Sequence, residues 1–417
     1  MVDSAGRLRF FTQPRTLGSV RSRFPKSAPA ARLARSEVGF LTLLAIVCCA
    51  CSTGSSGKAY LRAPGPEDAK QLLVLVSNEA SNDISLIDGA TDVVLRSLPV
   101  GKRPRGLKVS PDGSKVYVAL SGTPRGGPNV DESTLPPPDR SADGIGVVDI
   151  ASLTPNAQGD MALEPKAGVV QQVGALQPSI LHGKLESGDD PETIDSTPDG
   201  RILAVANEDS AKLRLMDAQT GALLANIGVG LEPEGLRFRP DGKVVYVTSE
   251  AIDRLDVIDV AERRVIATVP VGKRPRSILF SPDGDRAYIT CELASRIDVI
   301  DSRAHRTLTS IEIEGTPKAM PMGMALDPSE QRLYVSLGRA GEVAVIDVRS
   351  LRLLTRIADV GARPWGIALS PDGDKVYTAN GPSGDVSVID TRSMTVIHRI
   401  PVGKMPWGLG LVRVRGG

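Results

Sequence analysis

The sequence predicts an all-β fold: a seven-bladed β-propeller of four-stranded antiparallel blades, closed by the C-terminal strand joining the N-terminal blade. Three observations carry this. A stretch typified by residues 269–301, VPVGKRPRSILFSPDGDRAYITCELASRIDVID, recurs in recognisable form seven times after residue 70. Its turn prolines Pro111, Pro198, Pro240, Pro282, Pro328 and Pro371 are spaced by 87, 42, 42, 46 and 43 residues. The aspartates that end the third strands, Asp88, Asp149, Asp217, Asp259, Asp301, Asp347 and Asp390, number seven, so the gap of 87 is one long repeat. Periods of about 40 to 45 residues with four strands each are those of propeller blades. The ends are also complementary. The repeats open on a second-type strand, Leu72 to Val76, and finish on a lone first-type strand, Pro406 to Val414, so pairing the two hides the edges a ring would otherwise expose.

Each element of a repeat has a local cause. Ser277 to Ser281 and Asp285 to Thr290 are apolar-rich runs joined by Pro282-Asp283-Gly284, in which Pro presets φ and Gly takes the left-handed corner. Glu292 to Ser295 is small and polar, a second turn. Arg296 to Asp301 alternates as a half-buried strand does, and Arg306 to Ile313 supplies a weaker fourth strand.

The runs Tyr246-Val-Thr-Ser249, Tyr288-Ile-Thr-Cys291, Tyr334-Val-Ser-Leu337 and Tyr377-Thr-Ala-Asn380, with PDG turns before them and VID strands after, resemble the Tyr-Val-Thr-Asn (YVTN) β-propeller repeat family across roughly residues 71 to 414. The resemblance implies the seven-bladed fold. It leaves function open, because the family includes relatives of cytochrome d1 propellers, lactonase-like proteins and surface proteins.

Residues 1–50 read as a signal peptide. Eight Lys or Arg stand against Asp3 and Glu37, followed by the apolar run Val38 to Ala50, too short to span a bilayer comfortably. The small Ala50 before Cys51 resembles a bacterial lipoprotein cleavage site, with Cys51 the lipidated residue; an ordinary cleaved signal is the alternative. Residues 51–70, rich in Ser, Gly and Pro, read as a flexible tether, and 71–417 as the propeller. The expected location is a bacterial cell envelope, with membrane attachment through Cys51.

Beyond residue 50 the chain holds 42 basic and 47 acidic residues, and aromatics are 3% of the whole. Neither the charge nor the aromatic content suits a nucleic-acid binder. Of four cysteines only Cys291 lies in the propeller, so no disulfide forms within it.

Departures from regularity gather in the second blade, with insertions at about 121–143 and 175–191. Both are expected to project from the face that also carries two repeated polar sets. One set opens each second loop: Asn78-Glu79, Asn207-Glu208, Ser249-Glu250, Cys291-Glu292 and Asn380. The other begins each first strand: Arg103-Pro-Arg105, Glu232-Pro-Glu234, Arg274-Pro-Arg276, Pro321, Arg363-Pro-Trp365 and Met405-Pro-Trp407. The candidate ligand-binding mouth is therefore Arg105, Arg276, Trp365, Trp407, Glu79, Glu208, Glu250 and Glu292. Arginine forks suit an anionic group and tryptophans suit stacking. The plainer reading is that these residues are repeat grammar, bonding loop backbone and pairing between blades.

No catalytic residues are assigned. His182, His305 and His398 are not spaced to converge on one metal, and no haem-attachment, zinc-protease, P-loop or GxSxG motif is present. No cofactor is assigned. A metal ion held by Glu208, Asn207 and His182, or a haem on His182, stays open, and the insertion aspartates Asp131, Asp139, Asp143, Asp189 and Asp190 are read as solvated loop acids. The expectation is a monomeric binding or scaffolding module for a small molecule or an envelope protein. The alternatives are a lactonase-like or other metal-dependent small-molecule enzyme, and a haem- or quinone-associated periplasmic protein.

Overall fold

The repeats fold as their pattern demands. In the computed structural model, which describes residues 70–126, 131–153, 181–315 and 318–415, blade 5 comprises Pro275–Phe280, Arg286–Cys291, Arg296–Asp301 and Arg306–Glu312, antiparallel throughout. Its first turn is closed by Asp283 Oδ1, which accepts the Asp285 N–H at 2.9 Å, while Gly284 takes φ 73° at the corner. Its third turn is closed by Asp301 Oδ1, which accepts the Arg303 and Ala304 N–H groups at 3.0 and 2.9 Å. Those bonds, that from Ala304 foremost, hold the Asp301 carboxyl below the usual carboxylate range.

Seven such four-stranded sheets form the ring, with the first strands innermost and each touching its neighbours' first strands. They are Pro104–Val109 in blade 2, Pro191–Ser196 in blade 3, Pro233–Phe238 in blade 4, Pro275–Phe280 in blade 5, Pro321–Leu326 in blade 6 and Pro364–Leu369 in blade 7. Blade 1 is composite. Pro406–Arg415 pairs antiparallel with Lys70–Asn78, Leu75 opposite Gly410, and so closes the ring as the complementary ends predict. The signal segment, the tether and Cys51 lie outside the described residues.

The core lies between blades. Leu73 and Leu86 of blade 1 pack with Val116 and Val148 of blade 2, and Tyr288 and Ile297 of blade 5 with Leu333 and Val335 of blade 6. Burying each such side chain contributes about 2 kcal/mol before entropy is subtracted. The motif tyrosines are buried here with their hydroxyls partnered: Tyr246 Oη lies 2.8 Å from His305 Nδ1 in the next blade's third turn.

The third motif residue explains how blades address one another. Thr248, Thr290, Ser336 and Ser77 each donate a hydroxyl to a carbonyl on the next blade's inner strand: Arg276 at 3.0 Å, Met322 at 2.7 Å, Trp365 at 2.7 Å and Arg105 at 2.6 Å. The residue facing that carbonyl must be small. A Cβ at Gly235 would stand 2.0 Å from Arg276 O, so only glycine fits.

One expectation about the insertions does not hold. Leu181–Leu185 is the outer strand of blade 2, with Leu185 opposite Ile145, so the 175–191 stretch contains a strand. Asp149, where the third strand ends, and Leu181, where the outer one begins, lie at the end of the blade opposite the first-strand starts. Of the two insertions, 121–143 is the one that leaves and returns on the loop-bearing face.

Candidate functional site

Each inner strand begins with a proline, and the next residue lines the mouth of the central channel. In ring order from blade 1 these are Trp407, Arg105, Glu192, Glu234, Arg276, Met322 and Trp365. The mouth therefore divides into a charged arc over blades 2–5 and an apolar arc over blades 6, 7 and 1.

The charged arc is two arginine-centred clusters. In the first, Arg105 Nη1 lies 3.3 Å from Asp190 and 3.5 Å from Glu208, Nη2 meets Glu192, and Nε is 4.0 Å from Glu79. Arg103 donates to Glu79 Oε1 at 3.0 and 2.8 Å, and the insertion brings Arg125 Nε to 3.9 Å from the same carboxylate. Burial raises the Glu79 pKa, but Arg105 and Arg103 more than offset it and hold the group below the usual range. Asp190 goes the other way, because burial there outweighs Arg105. Glu192 is fully buried; neither of its oxygens accepts a well-formed hydrogen bond, and Arg105 is its counter-ion.

In the second cluster Arg276 Nη1 is 3.0 Å from Glu234 and meets Glu250, while Nε donates to Glu292 at 2.8 Å. Arg274 donates to Glu250 at 2.5 Å and approaches Glu292 at 3.4 Å. Burial and the neighbouring Glu234 push the Glu250 pKa up to about 7, against the pull of Arg276 and Arg274. Arg276 itself is held above its ordinary value, since Glu234, Glu250 and Glu292 outweigh its burial. Its guanidinium stays charged at every accessible pH.

On the apolar arc the Trp365 and Trp407 rings meet edge to face, with centroids 5.8 Å apart at 83°. Met322 is buried beside them in the ring, and the Arg363 guanidinium stacks 4.8 Å from the Trp365 ring centroid. The Trp365 Nε1–H is buried without an acceptor among the described residues.

All eight predicted mouth residues thus lie on this surface, and the plainer reading also holds, because the arginines do pair with neighbouring blades' glutamates. Asn78 and Asn380 serve the loops: Asn380 Nδ2 donates to Asp385 at 2.7 Å and to Ser387 at 3.0 Å. Asp190, expected to be a solvated loop acid, is instead buried against Arg105, and Glu192 carried no assignment on sequence. A signal for Glu192 existed: in blades 2 to 7 the inner-strand proline stands seven residues before a turn proline, and Pro191 precedes Pro198 by that spacing.

The predicted metal set is not brought together. Glu208 joins Asp190 and Glu192 with ligand atoms within 4.8 Å of one another, but His182 is on an outer strand, and Asn207, buried, keeps an Oδ1 without a donor. Arg105 already stands among the three carboxylates, so a cation there would have to displace a guanidinium. The insertion aspartates serve local structure, Asp143 accepting from Gly122 N at 2.6 Å and Asp190 N at 3.2 Å. Cys291 is buried against Asp298, and burial with that charge pushes its thiol well above the ordinary range, so it is structural. On the opposite face a shallow cleft of about 390 Å³ is lined by Arg239, Asp241, Asp283, Asp285 and Arg303, with Arg239 paired to Asp241 at 2.8 Å and Arg303 to Asp285 at 2.6 Å.

A family model described as a lactonase, 7-bladed beta-propeller, matches residues 233–398, which span blades 4 to 7. No curated protein sequence matches the chain. Among solved structures it is similar to the periplasmic gluconolactonase of Pseudomonas aeruginosa, at 23% identity and TM-score 0.61 over 82% of this chain and 99% of that one. It is similar to a Bacteroides uniformis protein proposed to be a 6-phosphogluconolactonase, at 18% identity and TM-score 0.61 over 82% and 99%. Hydrazine synthase of Kuenenia stuttgartiensis also matches, at 21% identity and TM-score 0.59 over 78% and 93%. At these identities the likenesses show the fold. The expectation of a binding or scaffolding module is overturned by the lactonase match, and the lactonase-like enzyme, held as an alternative on sequence, is what the comparisons favour.

Proposed function

We propose that the chain is a hydrolase that opens a lactone at the channel mouth, with Glu250 as general base and Arg276 as electrostatic stabiliser. The observation that carries this is the buried Glu250–Arg276 pair, within the span that matches the lactonase family. A carboxylate with a pKa raised to about 7 is half ionised near neutrality and strong enough to take a proton from water. Water attacks the lactone carbonyl while Glu250 accepts its proton. The tetrahedral oxyanion forms beside the Arg276 guanidinium, which stays charged and is preorganised by Glu234 and Glu292. The acyl–oxygen bond then breaks, the ring oxygen takes the proton back from Glu250, and a hydroxy acid leaves. Arg105, in the mirrored cluster, orients the ring hydroxyls with Glu208.

The test is hydrolysis of aldono-lactones by the purified chain, followed by acid release and corrected for spontaneous opening. Glu250→Gln is expected to lower kcat about 100-fold and Arg276→Met by a similar factor. No acceleration over background across a panel of five- and six-membered lactones refutes the proposal.

The YVTN-type repeat and export with Cys51 lipidation belong to the same proposal. The motif tyrosines and hydroxyls support the first, and the basic and apolar leader the second. Globomycin-sensitive processing in a bacterial host, lost in Cys51→Ala, tests the anchor.

A further inference from the structure

We propose that blades 6 and 7 form a second subsite, built by Arg363, Arg339 and Trp365, which takes an anionic group of the substrate, a carboxylate or a phosphate, remote from the ester being cleaved. This rests on the lactonase reading for the word substrate. It does not rest on it for the anion.

The charges of the mouth are matched unevenly. Arg103, Arg105, Arg274 and Arg276 each face one or more carboxylates. Arg363 and Arg339 face none within ion-pair distance among the described residues. Unmatched positive charge is therefore confined to one sector, next to an arc whose other members are Met322, Trp365 and Trp407. Arg363 is half-buried, and its guanidinium lies 4.8 Å from the Trp365 ring centroid. Stacking fixes the plane of the fork and leaves its N–H edge for a bidentate oxyanion, which a lysine could not offer. Burial, together with Arg276, Arg339 and Arg274, holds the Arg363 pKa below its ordinary value against the pull of Glu292. The same groups that depress it would attract an anion. Because Arg276 and Glu292 act on Arg363 across blade 6, the subsite adjoins the proposed hydrolytic centre. The Trp365 Nε1–H, buried without an acceptor among the described residues, is a further donor in the same sector.

The chain provides its own reporter. Trp365 and Trp407 are its only two tryptophans, and both stand in this sector. The full chain is titrated at constant ionic strength with inorganic phosphate, with acetate, and with an aldonate and its 6-phosphate, while indole emission is followed. A saturable change is expected, tightest for the probe whose anion matches. Arg363→Gln should weaken it at least 10-fold, Arg363→Lys by a smaller factor, and Arg339→Gln a few-fold, with far-UV dichroism confirming the fold of each. Preference for the 6-phosphate over the aldonate identifies phosphate; equal response to acetate and aldonate identifies carboxylate. No saturable response to any probe, or one unchanged in Arg363→Gln, overturns the subsite. Anion binding without lactone hydrolysis would remove the lactonase reading and leave the subsite, and hydrolysis of neutral lactones without anion binding would do the reverse.

Discussion

Replacing Thr248 by Val tests whether the repeat motif places the site. Valine matches threonine in shape, so no cavity opens, and the change removes only the hydroxyl. That hydroxyl accepts the Gly235 N–H at 2.8 Å and donates to Arg276 O at 3.0 Å. Both backbone groups are between blades, where water cannot replace the lost partner. Stranding two buried groups at ~1.5 kcal/mol each gives a destabilisation of about 3 kcal/mol. The loss is not only one of stability. Arg276 O is the point at which blade 4 grips blade 5's inner strand, and the same residue's guanidinium faces Glu234, Glu250 and Glu292. A displacement of a fraction of an ångström there should lower kcat/KM about 10-fold. Urea denaturation and lactone kinetics measure the two effects, and Thr248→Ser, which keeps the hydroxyl, should recover most of both. If Thr248→Val falls within about 0.5 kcal/mol of the parent, or Thr248→Ser is equally damaging, the hydroxyl is not what positions Arg276.

Three further outcomes follow from Glu250 and Asp92. Glu250 is the base only when ionised, so kcat/KM should rise with pH to a plateau above about 7; Glu250→Gln should abolish that limb. Because its folded pKa is raised, the folded state holds extra protons between the unfolded value of 4.5 and about 7, so this group's contribution to stability falls as pH rises through that window, and Glu250→Gln should flatten the dependence in denaturant melts. At the closing seam, Lys375 Nζ donates to both Asp92 oxygens at 2.8 Å and His398 Nδ1 lies 2.8 Å from one of them. Asp92→Asn should cost about 2 kcal/mol and act mainly by speeding unfolding in stopped-flow denaturation, since the seam is where the ring opens.

The blades were legible because every repeat writes the same local chemistry: a PDG turn, a VID strand end and a fixed spacing between prolines. Closure was legible because two incomplete ends matched. Blade 2 was not, because its outer strand is LHGKL, Leu181–Leu185, which has little strand character, and register with Gly144–Asp149 decides it. The mouth was half legible. Pro-Arg and Pro-Trp pairs announced Arg105, Arg276, Trp365 and Trp407, but burial sets the chemistry, and no pattern in the sequence shows that Glu250 is pressed against Glu234 while Glu79 is surrounded by arginines. The pairing of a motif hydroxyl with the next blade's backbone was equally hidden, since it joins residues 28 apart such as Thr248 and Arg276.

The composite first blade has a consequence in time. Trp407 rides on the strand that is made after the other twenty-seven, and it completes the ring of channel residues between Trp365 and Arg105. The ring of channel residues is therefore complete only once Pro406–Arg415 has paired with Lys70–Asn78, so the mouth and the closure of the ring form together. A chain clipped before Pro406 would lose that interlock and the Trp365–Trp407 contact at once.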